Sequence, residues 1–86
     1  MTIAELSKII NDIDTDYSGD NIFKGLLIIN KYFDVEKKDI IGAVGHDIIY
    51  SVDADELLNA GLTEVDAISL AKLGWMVSEE CLSCFV

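Results

Sequence analysis

A run of almost continuous apolar side chains, Asn21 to Phe33, constrains the fold of this chain most. Four of its residues recur at helical spacing and would form one stripe: Ile22, Leu26, Ile29 and Phe33. Phe23 and Leu27 widen this stripe, so the sequence predicts a central helix that other elements wrap on most sides. Gly25 costs a helix interior about 1 kcal/mol relative to alanine, which indicates either a closely approaching backbone or a tolerated small residue.

The charge of the chain limits the partners that it can bind. Sixteen Asp and Glu residues stand against six Lys residues, there is no Arg, and the formal net charge is −10. Phosphate groups are bound by cationic side chains, so this composition speaks against nucleic acid and anionic membranes as partners. It favours a protein with a basic surface, including one that normally holds DNA or RNA. Simple solubility is the alternative meaning of the charge.

Length and hydropathy indicate one folded domain spanning residues 1–86. Half of the residues are hydrophobic, so the chain can bury a modest core despite its charge. The sequence has neither an apolar stretch of about 18 residues, which a membrane span needs, nor an N-terminal secretory signal. We therefore expect a complete cytoplasmic product.

The N-terminal part of the chain carries signals for two helices. Thr2 and Glu5 have the spacing of a capping box, and a first amphipathic helix is predicted from there to about Asn11. The acidic segment from Asp12 to Asp20 would form a loop. We expect the Asp20 side chain to cap the central helix at its positive end.

Two β-hairpins are predicted in the second half. The segments Asp39–Val44 and Asp47–Val52 are short, rich in β-branched residues and separated by Gly45-His46. The segment from Trp75 to Val86 predicts the second hairpin, with a turn at Ser-Glu-Glu.

Helical signals lie between these hairpins. Asp53 to Glu56 repeats the capping-box spacing, and Gly61 suits the end of a short helical segment. A clearer helix begins at Thr63 and is closed by Gly74. The sequence therefore predicts an α+β fold: two N-terminal helices, a β-hairpin, a helix and a second β-hairpin. The four strands would form one antiparallel sheet packed on helices, with the central helix across its inner face.

The second half of the chain resembles a set of small acidic proteins from bacteriophages and prophages. Four motifs carry the resemblance: Ala43-Val-Gly-His-Asp-Ile-Ile-Tyr50, Thr63-Glu-Val-Asp-Ala67, Leu73-Gly-Trp75 and Phe85-Val86. The chain departs from the pattern in its extra acidic segment, Asp53 to Leu62, and in Cys84, where an aromatic residue is often found. The resemblance implies no activity or catalytic residue. It implies a phage or mobile-element setting, in which small acidic proteins often disable a host or defence protein.

Three short motifs suggest chemistry that their surroundings do not support. Asp14 to Asp20 matches the first half of an EF-hand loop, but the position of the bidentate glutamate is taken by Gly25. His46-Asp47 is typical of metal-dependent phosphohydrolases, which need several histidines, and this chain has one. Cys81 and Cys84 have a redox or zinc spacing, but residues three apart on a strand point to opposite faces. We therefore predict a protein that is not an enzyme and has no cofactor.

Interaction surfaces are then the best candidates for function. Acidic side chains are dense in two loops: Asp12, Asp14, Asp16 and Asp20 in the first, and Asp53, Asp55 and Glu56 in the second. Val65 and Ile68 lie on a second side of the helix that begins at Thr63, which indicates either a partner surface or a more deeply buried helix.

The expected function is a small phage-encoded binding protein that inhibits a host nucleic-acid-handling or defence protein, as anti-CRISPR proteins do. A structural accessory protein that self-associates, as a homodimer for example, through the Val65 and Ile68 side is the alternative. A weak Ca²⁺-binding module is a third.

Overall fold

The computed structural model describes residues 1–15, 20–34 and 38–85 of the chain. Within these residues the chain forms four helices: Ile3–Asp12 (α1), Asn21–Asn30 (α2), Ala54–Asn59 (α3) and Glu64–Lys72 (α4). The same residues form four strands: Ala43–Val44 (β1), Ile48–Asp53 (β2), Met76–Ser78 (β3) and Cys81–Phe85 (β4). The predicted α+β class and the order of helices and hairpins are confirmed.

The strands form one antiparallel sheet in the order β1-β2-β4-β3. The two hairpins meet where β2 pairs with β4, with Ile49 opposite Cys84, and β2 is irregular between Tyr50 and Asp53. The strand β1 is shorter than predicted, because regular pairing begins at Ala43. The hydroxyl of Ser51 instead donates to the Ile40 carbonyl, which holds the preceding segment beside β2.

Local capping signals are confirmed at three helix ends. At the start of α1, the Glu5 backbone N–H donates to the Thr2 hydroxyl (3.2 Å), and the Glu5 carboxylate accepts from the Thr2 backbone N–H. At the start of α4, the Thr63 hydroxyl accepts from the Asp66 backbone N–H. Gly74 follows α4 with a φ of +81°, a conformation that glycine adopts without steric cost.

Two other predicted caps are wrong. Asp20 and Asp53 occupy the N-cap positions of α2 and α3, but neither side chain bonds to the helix that follows, as far as the described residues show. The Asp53 carboxylate instead accepts from the Cys81 thiol at 3.2 Å, and the Ala54 backbone N–H donates to the Glu80 carbonyl. The β3–β4 turn therefore takes over the role that a capping box would have had.

The predicted wrapping of α2 is also wrong. Its main contacts are with α4 and not with a strand, so it does not lie across the inner face of the sheet as predicted. The helix α1 also packs mainly against α4, and α3 packs against β2. The stripe of Ile22, Leu26 and Ile29 does face inward, but Phe23 and Leu27 are 65% and 52% exposed. A helix of this length buries one stripe against a single neighbour, so the residues that widen the stripe remain in contact with water.

The core lies between the helices and one face of the sheet. It joins residues from every helix and from β2 and β4, with Trp75 among its largest fully buried side chains. The core residues are Leu6, Ile29, Val52, Ala54, Leu57, Leu62, Ala67, Leu70, Trp75, Leu82 and Cys84. The helix α4 packs between α1 and α2 in this core.

Candidate binding surfaces

The N-terminal end of α2 is tied to the residues that follow α4. The Trp75 indole N–H donates to the Asn21 carbonyl at 3.0 Å, and the Asn21 side-chain amide donates to the Leu73 carbonyl at 2.8 Å. The indole ring lies directly on Gly25, where a Cβ atom would stand 1.8 Å from Trp75 Nε1. The close approach that Gly25 permits is therefore made by a side chain and not by a backbone.

The opposite end of α2 is tied to the start of α4. The Tyr32 hydroxyl donates to the Asp66 carboxylate and accepts from the Thr63 backbone N–H at 3.2 Å. Lys31 forms an ion pair with the same carboxylate at 2.9 Å. The hydrogen bond from Lys31, and then that from Tyr32, hold the pKa of Asp66 below its ordinary value. The helices α2 and α4 are thus antiparallel and joined at both ends.

The other flank of α4 opens into a groove of about 680 Å³ against α1, which we call the α1–α4 groove. Five apolar side chains line it: Met1, Ile9, Ile13, Leu62 and Ile68. Three acidic side chains and one lysine complete the lining: Glu5, Asp12, Glu64 and Lys8. All four charged residues are exposed, so the groove has an apolar floor and a predominantly acidic rim.

A second concave surface lies beside β2 and has a volume of about 420 Å³; we call it the acidic cleft. Four carboxylates line it: Asp39, Asp53, Glu56 and Glu79. Lys38 also lines it and forms an ion pair with Glu56 at 2.6 Å. The cleft therefore brings together acidic residues from three separate segments of the chain, with one of the four carboxylates neutralised.

The structure separates the residues that the sequence analysis grouped as partner-binding. Asp53 and Glu56 line the acidic cleft, and Asp55 is exposed beside them on α3. Asp14 and Asp20 are exposed, while Asp16 lies outside the described residues.

Val65 and Ile68 do not form one surface. Ile68 lines the α1–α4 groove, whereas Val65 is 72% exposed and lies outside the groove lining. The two are neighbours on α4, but only Ile68 faces α1.

Sequence reasoning missed most of the residues that complete these surfaces. Asp39 and Glu79 reach the acidic cleft only through the fold, because they lie in different segments from Asp53. The sequence of α1 could have indicated the groove, because the helix and the residue after it contain more isoleucines than one buried face can hold. Leu6 is the residue of α1 that is fully buried, and Ile9 and Ile13 are left at the groove.

The described residues offer little support for metal or thiol chemistry. Among them, no group of three or more His, Cys, Asp and Glu side chains could hold a metal ion. Most of the EF-hand-like segment lies outside the described residues, and Gly25 is packed inside α2. Burial raises the pKa of both thiols, and the bond to Asp53 raises that of Cys81 further. A raised pKa disfavours the thiolate, which is the nucleophilic and metal-binding form.

Comparison with protein-family models, with curated proteins and with solved structures finds no match to this chain. No helix in the described part of the chain is long and apolar enough to cross a membrane.

Proposed function

We propose that this chain is a small, acidic, non-enzymatic binding protein that occupies the basic surface of a host protein that handles nucleic acid. An anti-CRISPR-like inhibitor encoded by a phage and acting in the host cytoplasm is the most specific form of the proposal. The phage setting is supported by the motif resemblance alone. The raised pKa values of Cys81 and Cys84 argue only against thiolate chemistry at these two residues.

The observation that carries the proposal is the convergence of four carboxylates on the acidic cleft. Asp53, Asp39 and Glu79 are exposed there, so their charges reach solvent and can attract a cationic surface at a distance. The lysines that could offset the acidic surface are few, and Lys31 and Lys38 are already in ion pairs. A basic protein would therefore meet a negative field at this face, as it does when it binds DNA or RNA.

Affinity capture from a host lysate, followed by mass spectrometry, should first identify a basic partner. The association rate should then fall as ionic strength rises, because exposed charges are screened over about 10 Å at 0.1 M salt. Replacing Asp53→Asn, Asp55→Asn and Glu56→Gln together should mainly lower the association rate, since charges at a rim steer encounter more than they hold a complex.

The control is Asp47→Asn, an exposed acid on the turn between β1 and β2, which does not line the cleft. It tests whether any loss of negative charge has the same effect. If the captured partner binds equally well at all salt concentrations and with the triple variant, the acidity serves solubility and the proposal fails.

Self-association remains a second candidate because α2 exposes Phe23 and Leu27 one helical turn apart. Ile40 lies beside this pair and extends the apolar area, and Val65 is a further exposed residue. Sedimentation over a hundredfold concentration range tests it. A dimer that is lost in the Phe23→Ser, Leu27→Ser variant would support a structural accessory role, and a monomer throughout would exclude that role.

A further inference from the structure

We infer that the α1–α4 groove binds a basic amphipathic helix presented by a partner protein. This inference rests on the proposed function and deepens it, because it names the docking surface and the kind of segment that enters it.

The floor of the groove supplies the apolar part of such a site. Ile9 and Ile13 come from one wall, Ile68 from the other, and Leu62 lies between α3 and α4. Helices bind in grooves of this kind by placing side chains at i, i+3 or i+4, and i+7 against an apolar floor. The helix α1 is ten residues long, about 15 Å, which matches about three turns of a bound helix.

The rim of the groove decides the charge of the occupant. Glu5, Asp12 and Glu64 surround the floor, and Lys8 is the single lysine among the described residues that line it. A helix with Lys or Arg beside its apolar stripe would place cations against this rim while its apolar face covers the floor. An acidic helix would be repelled.

A second copy of the chain is a poorer occupant than a basic helix. Each copy carries a net charge of −10, so association of two copies brings like charges together around the groove. The part of α1 that faces the groove carries Glu5, Lys8 and Asp12, so a self-complementary contact would oppose acids to acids. Charge complementarity therefore selects a basic partner.

Three fluorescein-labelled synthetic peptides test the inference with the full chain, by fluorescence anisotropy. The first is an 18-residue amphipathic Leu/Lys helix. The second keeps every Leu position but replaces Lys by Glu, and the third has the composition of the first in a scrambled order. The Leu/Lys helix should bind at least about tenfold more tightly than either of the others, because only it offers both an apolar stripe and cations.

Two pairs of variants locate the binding. Asp12→Lys with Glu64→Lys should weaken binding of the Leu/Lys helix about tenfold. The control, Asp47→Lys with Glu80→Lys, makes the same charge change at two exposed residues that line neither the groove nor the acidic cleft, and should change it less than about threefold. Ile68→Ser should weaken binding about tenfold by removing an apolar contact, whereas Val65→Ser, on the solvent side of the same helix, should leave it unchanged. Circular dichroism confirms that each variant is folded, and Ile68→Val replaces Ile68→Ser if that variant is not.

Three outcomes would overturn the inference: equal binding of the Leu/Lys helix and the scrambled peptide, equal effects of the two double variants, or no binding of any peptide. A stable dimer that dissociates in Ile68→Ser would also overturn it, since the groove would then hold a second copy. These outcomes are distinct from failure of the proposed function. A captured partner that is sensitive to salt and to the triple variant in the acidic cleft, but not to the groove variants, leaves that proposal standing.

Discussion

The two flanks of α4 differ in the way that they are closed. On the α2 flank, hydrogen bonds join the two helices at both ends, and the Trp75 indole fills the space over Gly25. On the α1 flank, apolar side chains from both helices line an open groove with charged residues at its rim. The two flanks are served from opposite sides of α4. Asp66, and Leu73 directly after the helix, bond to the α2 side, whereas Glu64 and Ile68 line the groove on the α1 side.

This difference indicates that the α2 flank contributes mainly to stability and the α1 flank mainly to binding. Buried polar groups that find partners specify one arrangement of α2 on α4, and breaking a partnership there leaves an unsatisfied group in the core. The α1 flank has apolar surface that the fold itself does not cover. Substitutions on the α2 flank should therefore act mainly on folding, and substitutions on the α1 flank mainly on binding.

The largest effect is expected from Gly25→Ala, which places a methyl group against the Trp75 ring. The free energy of unfolding should fall by about 3 kcal/mol, because an overpacked core must shift the indole or the helix. Urea denaturation followed by Trp75 fluorescence measures it. Leu27→Ala, on the exposed side of the same helix, is the control and should change stability by less than about 1 kcal/mol. Equal or greater stability of Gly25→Ala, as helix propensity alone would give, would contradict the tight contact.

The next largest loss of stability is expected from Asn21→Ala, which removes the side-chain amide that donates to the Leu73 carbonyl. Stability should fall by about 2 kcal/mol, because Asn21 is buried and the carbonyl loses its side-chain partner. Urea denaturation measures the change in the free energy of unfolding. Asn30→Ala removes the same side chain from an exposed position at the other end of α2, and it should be nearly neutral. Similar losses for the two variants would show that the tie at Asn21 adds nothing.

A smaller loss of stability is expected from Asp66→Asn, about 1 kcal/mol at neutral pH, because the Lys31 side chain of the ion pair is exposed and solvent screens it. The folded-state pKa of Asp66 is lowered, so the stabilisation is present above the ordinary carboxyl value of about 3.9 and disappears as pH falls through the folded-state pKa. The stability difference between wild type and Asp66→Asn should accordingly be constant from pH 5 to 7 and shrink below about pH 4. A gap that persists undiminished at the lowest pH would mean that the charge of Asp66 is not what joins the helices.

The smallest loss of stability is expected from substitutions on the α1 flank. Asp12→Asn with Glu64→Gln should change the free energy of unfolding by less than about 1 kcal/mol, because both side chains are exposed and a carboxylate in the first turn of α4, such as that of Glu64, gains little from the helix dipole. The same denaturation measurement checks it. A loss as large as that of Asn21→Ala would show that the two flanks do not differ, and that the groove is part of the core.

Sequence patterns predicted the elements of this fold and only part of its surfaces. The capping box at Thr2 and Glu5, the cap at Thr63 and the helix end at Gly74 were all readable, because each involves residues within a few positions of one another. The caps expected at Asp20 and Asp53 were wrong, although the residue types were suitable. At Asp53, a thiol from β4 and the turn before it compete for the same groups.

The sequence by itself determined the α+β class, the order of helices and hairpins and the excess of acidic charge. These follow from composition, from hydrophobic period and from hydrogen bonds between residues that are close in sequence. Only the tertiary structure decided that Trp75 would rest on Gly25, and that Asp39 and Glu79 would join Asp53. It also decided that Ile68 would face a groove while Val65 faces water, because helix packing buries one side of α4 against α1 and exposes the next. The physical reason is the distance along the chain over which each interaction acts. Hydrogen bonds between near neighbours determine whether a segment is a helix or a strand, and contacts between distant segments determine which of its faces are buried.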